Sequence, residues 1–180
     1  MADLIQKLQR DHSHMARLLK VLEEELDTAA KSDPPDFQRM QLVMKYMTRY
    51  PDEVHHPRED VLFARLLEKA PAVGATISTL CAEHRVLAVK GQELCSVLDA
   101  AATEHVIRRD ALETPGREYI ATLYRHMRFE ETEIFSVARA RLGTEDWLVI
   151  ESSVDEQRDP IFGDSVESEY RDLYAYIFSS

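Results

Sequence analysis

Residues 8–26 read Leu-Gln-Arg-Asp-His-Ser-His-Met-Ala-Arg-Leu-Leu-Lys-Val-Leu-Glu-Glu-Glu-Leu. Leu8, His12, Met15, Leu19, Leu22 and Leu26 follow one another at steps of 4, 3, 4, 3 and 4, the seam of a helix packed in a bundle. His12 stands inside that seam, whereas His14 is turned about 200° away from it. The pattern returns in His55, Glu59, Leu62 and Leu66. It returns again in Ile77, Leu80, His84, Leu87, Gly91, Leu94 and Leu98, and in Leu123, His126, Glu130, Ile134 and Val137. Each of four seams therefore holds one histidine, and two of them also hold a glutamate.

Breakers divide these seams into four helices. Asp33-Pro34-Pro35 closes a helix over 3–30, and Pro71 closes one over 37–69. A third helix is predicted over 73–101, followed by a polar stretch over 103–113. Thr114-Pro115, a capping residue with proline in the first turn, opens a fourth that ends near Gly143. Short connections make consecutive helices antiparallel neighbours, so the expected fold is all-α, an up-down-up-down four-helix bundle over residues 1–143. Residues 144–180 are expected to form a helical tail packed on it. A short helix is predicted over 146–156. Asp164-x-x-Glu167 resembles a capping box before a last helix to about Phe178, whose Tyr170, Leu173, Tyr174 and Ile177 would face the bundle.

Composition narrows the function classes. The 180 residues are 44% hydrophobic with only 5 glycines, which suits one helical domain with a real core. The net charge is −11 and no basic stripe is visible, which argues against nucleic acid and against an anionic membrane surface as partner. No apolar run approaches the ~18 residues of a membrane span, and the polar residues 1–14 do not read as a signal peptide. Cys81 and Cys95 are 14 residues apart in one predicted helix. That is roughly 21 Å, beyond disulfide reach, so both are expected to be free thiols among core residues in a cytoplasmic protein.

Histidine and glutamate inside a core need partners, and four histidines with two glutamates call for more than a hydrogen bond each. A pair of cations would neutralise the carboxylates and engage every imidazole lone pair. The chain sets the six at one depth. The midpoints between His12 and His55, and between His55 and His84, fall on the first two breaks, and that between His84 and His126 falls on His105 in the third. An acidic residue precedes the first and third histidines (Asp11-His12, Glu83-His84). A second acid follows each H-x-x-x-E (Glu59-Asp60, Glu130-Glu131), as in a duplicated hairpin. A His and a Glu at i and i+4 share a helix face and can hold metal together. Chance predicts roughly 0.7 such pairs here, so spacing alone is weak. Seam, depth and duplication together make it specific.

The order His12, His55-x-x-x-Glu59, His84, His126-x-x-x-Glu130 resembles the hemerythrin-like cation-binding family. The strings His55-His56-Pro57-Arg58-Glu59 and Asp159-Pro160-Ile161-Phe162-Gly163 are similar to it as well. The resemblance implies two iron ions, His12 and His55 on one, His84 and His126 on the other, with Glu59 and Glu130 bridging. About two positions per iron would remain for an oxo or hydroxo bridge and an outside ligand. It implies a non-haem di-iron protein of oxidative or nitrosative stress that reacts with O2, H2O2 or NO, peroxide decomposition being one such reaction. Binding, storage or sensing of oxygen, nitric oxide or iron without turnover is a second reading, and a metal-free helical interaction module a third. Leu80 and Ala88 stand where oxygen carriers of the family have a fifth histidine. Glu130 comes four residues after His126 where they have aspartate at five, although Glu131 fills the fifth place, so reversible oxygen carriage is not expected. The cysteine-bearing N-terminal module of members that repair iron centres is not seen either.

Other residues have plainer readings. His14 is expected at the surface and His105 in a loop. His56 should face away from the seam or stand behind the ligands. Pro57 should kink the second helix. Tyr46, Tyr50, Tyr119 and Tyr124 could hydrogen-bond near the site but are read first as core tyrosines, and Glu23-Glu24-Glu25 as a solvated face.

Overall fold

The computed structural model describes residues 3–31, 33–103, 108–154 and 158–178. Among them all regular structure is helical. Helix α1 spans Asp3–Ala30. The second rod is α2 (Phe37–Met47), a π-helical turn (Pro51–His55) and α3 (His56–Lys69). A 3-10 turn at Pro71–Val73 leads into α4, Gly74–Ala102. The fourth rod is α5 (Arg109–Phe129), a second π-helical turn (Glu130–Phe135) and α6 (Ser136–Arg141). Two further helices follow, α7 (Thr144–Ser153) and α8 (Arg171–Phe178).

Cross-rod hydrogen bonds fix the register. Arg39 bonds Glu25 near one end of the first hairpin, and His55 meets His12 nearer the other. Gln41 bonds Asp99 while His84 lies by Glu59, and Lys90 bonds Glu118 while His126 bonds Glu83. Each consecutive pair of rods is thus antiparallel. The first and fourth rods also pack together through α1 and α5, closing the bundle.

The core is in two parts. Leu4, Ile5 and Leu8 of α1 join Leu62, Leu66, Ile77, Leu80, Ile134 and Phe135 in one cluster. Met15 to Leu26 of α1 join Met40, Met44, Leu87, Leu94, Leu98, Tyr119 and Leu123 in the other. Every rod passes from one cluster to the other; on the first three the crossing point is the seam histidine, and on the fourth it lies between Met127 and Ile134, at Glu130.

The second rod is irregular before Pro57: the π-helical turn opens at Pro51, and the His56 amide bonds back to the Pro51 carbonyl. Pro57 follows directly on that turn, as the second residue of α3, so the irregularity lies where the proline removes an amide hydrogen from a continuous rod. Several expectations need correction. The fourth rod starts at Arg109, not at Thr114, and keeps Pro115 inside α5. The earlier start buries Leu112 (3% exposed), a gain of about 1.5–3 kcal/mol, comparable with the bond that Pro115 forgoes. Glu25 is no solvated residue. It is buried and accepts hydrogen bonds from Arg39 and from the Asp36 amide, fixing the entry to α2.

The tail packs on the bundle, α7 against α3 and α8 against α1 and α2. Tyr170 and Leu173 are buried, but Tyr174 is exposed, so the expected stripe is only partly right. Glu167, not Asp164, precedes the final 3-10 turn and helix, and its side chain makes no capping bond. Cys81 and Cys95 are free and only half-buried. His105 lies outside the described residues.

Candidate metal centre

The six expected residues converge. His12 comes from α1, His55 from the π-helical turn before α3, Glu59 from α3, His84 from α4, His126 from α5, and Glu130 from the π-helical turn after it. Five of them are buried, and the His84 side chain is 11% exposed. His12 Nε2 is 3.1 Å from His55 Nε2, 3.4 Å from Glu130 Oε2 and 4.0 Å from Glu59 Oε1. His55 Nε2 is 3.4 Å from Glu59 Oε1. On the other side, His84 Nε2 lies 3.5 Å from Glu59 Oε2 and 3.3 Å from Glu130 Oε1, and His126 Nε2 lies 3.1 Å from Glu130 Oε1. Both carboxylates therefore sit between two imidazole pairs.

A carboxylate behind a ring decides which nitrogen faces inward. His12 Nδ1 donates to Glu131 (2.9 Å), His55 Nδ1 to Asp11 (3.2 Å) and His126 Nδ1 to Glu83 (2.9 Å). An ionised carboxylate only accepts, so each Nδ1 carries a hydrogen and Nε2 is the nitrogen left to face the centre, where it can offer a lone pair once its own proton is displaced. This is the support that metal-binding imidazoles use. Asp11 is itself held by the Tyr50 hydroxyl (3.1 Å) and Arg58 (3.3 Å). Phe135 stacks on His12 at 5.6 Å.

The centre holds polar atoms without partners. Both oxygens of Glu59, Oε2 of Glu130 and Nε2 of His126 are buried and make no hydrogen bond. Leaving such atoms orphaned costs about 1–3 kcal/mol each, more for charged groups, unless something else engages them. The electrostatics match. Burial pushes His55 down, but the Glu59 carboxylate 3.4 Å away and the hydrogen bond to Asp11 raise it to about 10. His12 and His126 are raised in the same way, against burial, by the nearby Glu130 carboxylate together with the hydrogen bonds to Glu131 and to Glu83. Burial raises the Glu130 carboxyl, yet His12, His126 and His84 hold it well below the usual carboxylate range. The site attracts positive charge.

Two sets of ligand-type atoms each lie within 4.8 Å of one another: those of His12, His55, Glu59 and Glu130, and those of His56, His84 and His126. In the sequence the acids at Asp11, Glu83 and Glu131 stand out as a repeat, and the task of holding Nδ1 emerges only from the fold. Their places next to the histidines and glutamates were the available signal. Tyr50 is a core tyrosine, and its hydroxyl on Asp11 also makes it part of the support of His55. Tyr46, Tyr119 and Tyr124 bond Asp159, the Met47 carbonyl and the Ala16 carbonyl, away from the centre.

His14 is not a surface residue. It bonds Asp159 (3.3 Å) and stacks on Phe162 at 4.1 Å, fastening the tail turn to α1. Its atoms with those of Asp11 and Asp159 form a third set within 4.8 Å, but Arg58, Tyr46 and Tyr50 already satisfy those carboxylates.

Fold and site together define a metal-binding four-helix bundle with a mixed imidazole and carboxylate centre. The chain belongs to the hemerythrin HHE cation-binding domain family, whose model matches residues 3–138. Searches of curated proteins and of solved structures each returned no match.

Proposed function

We propose that the chain is a non-haem di-iron protein. His12 and His55 hold one iron, His84 and His126 the other, and Glu59 and Glu130 bridge them. Its task is to react with a small oxidant or diatomic ligand, O2, H2O2 or NO, with peroxide decomposition the reaction to test first. The observation that carries this reading is the set of orphaned carboxylate oxygens and imidazole nitrogen facing one another in the core. Imidazole with carboxylate suits iron, and iron when bound supplies the redox chemistry and the open positions for an outside ligand.

The chain's own residues have definable tasks. Asp11, Glu83 and Glu131 keep the Nδ1 hydrogens of His55, His126 and His12, so that the Nε2 lone pairs stay aimed inward. The two apolar clusters on either side keep water out and raise the strength of every charge interaction between them. Two carboxylates balance part of the charge of two cations, which limits the cost of burial.

The same reading takes residues 1–143 as the bundle and 144–180 as a tail. It puts the protein in the cytoplasm, in keeping with two free thiols. Among the described residues no helix is long and apolar enough to cross a membrane.

Iron-loaded protein mixed with peroxide tests the reaction. Release of oxygen with many turnovers per chain is expected. A spectral change on adding O2 or NO that reverses on removal, without peroxide turnover, would instead assign a binding or sensing role. Manganese or zinc in place of iron in protein purified from its source would refute the di-iron assignment.

A further inference from the structure

The four imidazoles are not held alike. Three have a carboxylate on Nδ1. Among the described residues none lies within hydrogen-bonding distance of His84 Nδ1. The duplicated hairpin names the missing partner. Asp60 follows Glu59 as Glu131 follows Glu130, but Asp60 is exposed and makes no bond to His84. In its stead the ring of His56 lies flat on the ring of His84, centroids 3.9 Å apart and planes 13° from parallel. His56 is tethered in turn by Asp52, 3.0 Å from Nδ1, on the π-helical turn Pro51–His55. The equivalent place in the second hairpin holds Met127.

His56 is close enough to His84 and His126 to be taken for a ligand. Its pose argues otherwise. An imidazole binds an ion in its ring plane at about 2 Å. Two stacked, nearly parallel rings cannot both contain the same ion in their planes, so with His84 aimed at the centre the His56 lone pair passes to one side.

We propose that His56 is the positioning residue of His84, its Asp52-tethered ring replacing the carboxylate that orients each of the other three imidazoles. This rests on the metal-centre reading. It makes the centre unequal: the ion shared by His84 and His126 is held by one ring fixed only through stacking, at the most exposed corner of the site. That ion is the first to leave.

The test uses full-length protein loaded anaerobically with ferrous iron, and measures iron per chain and its extraction by a chelator. In His56→Ala one of the two irons should leave about 10-fold faster while the other is unchanged, the size expected for loss of a supporting partner. His56→Phe, which keeps the stacked ring but gives up the nitrogens and with them the Asp52 bond, should restore most of the wild-type rate. Equal loss in His56→Ala and His56→Phe would mean that a ring nitrogen rather than the stacked face is needed and would overturn the proposal, as would a wild-type rate in His56→Ala. Nitrogen-15 NMR of the imidazoles in the metal-free variants gives an independent reading. The His84 resonances should shift in His56→Ala and return in His56→Phe, and an unchanged His84 in His56→Ala would also overturn it. Failure of the wild-type chain to take up iron would instead count against the metal centre itself.

Discussion

At the residue scale the centre is a problem of charge. Glu59 and Glu130 are 0% exposed, and only positive charge makes two such carboxylates tolerable. His126 lies 3.1 Å from one of them, with its other nitrogen fixed by Glu83. His126→Ala should lower bound iron from about two per chain to one or fewer, measured by elemental analysis, because both a ligand and its support vanish. In metal-free protein the positive charge must come from protons on His55, His12 and His126, all raised above their ordinary value. A raised pKa stabilises the fold in full below the unfolded value near 6.5 and is lost as pH rises through the folded value, about 10 for His55. Melting temperatures of chelated protein should therefore fall between pH 6.5 and 10, and iron-loaded protein should fall less over the same span. Equal slopes would speak against buried imidazolium. The six central side chains were legible because each breaks an otherwise apolar seam. Their supports were harder to read: Tyr50 has the pattern of a core residue, and only the fold shows its hydroxyl on Asp11.

At the element scale, seams and breakers located all four rods, since periodicity reports burial directly. Rod interiors were less legible. Two π-helical turns, one ending on His55 of His55-x-x-x-Glu59 and one beginning on Glu130 of His126-x-x-x-Glu130, shift the phase of side chains in a way no residue type announces. Pro115 misled for a related reason: local propensity marks a start, but burial of Leu112 extends the helix past it. Gly91 is a packing glycine on α4. A Cβ there would come 2.8 Å from Thr48 Cγ2, and Thr48 cannot swing aside without giving up its 2.8 Å bond to the Met44 carbonyl. Ala gains about 1 kcal/mol of helix propensity over Gly, whereas overpacking costs about 1–3 kcal/mol. Gly91→Ala should be net destabilising by about 1 kcal/mol in urea unfolding, and a stabilised variant would show that α2 and α4 can move apart.

At the scale of the whole molecule, a polar layer divides the hydrophobic core, and the tail is buttoned to the bundle beside it. The button is the turn at Asp159. Burial raises its carboxyl, but bonds from His14, the Phe162 and Ile161 amides and Tyr46 outweigh that and hold it below the ordinary value. A depressed carboxyl stabilises above the unfolded value near 3.9 and is lost as pH falls through the folded one. Docking of α8 should therefore loosen at acid pH before the bundle melts, seen as faster hydrogen exchange in 171–178. Gly163→Ala should loosen it at neutral pH too, because a Cβ would sit 2.5 Å from the Asp159 carbonyl oxygen. Full protection of α8 in that variant would contradict the account. The tail helices were legible in outline, but the fastening of His14 to Asp159 joins residues 145 apart, which periodicity cannot see. The central claim is that one buried centre takes two cations. Anaerobic ferrous titration of the metal-free chain, followed by its optical spectrum after oxidation, tests it most directly. Saturation at about two irons per chain with the absorption of a coupled iron pair is the expected result. Saturation at one iron, or none, would contradict it.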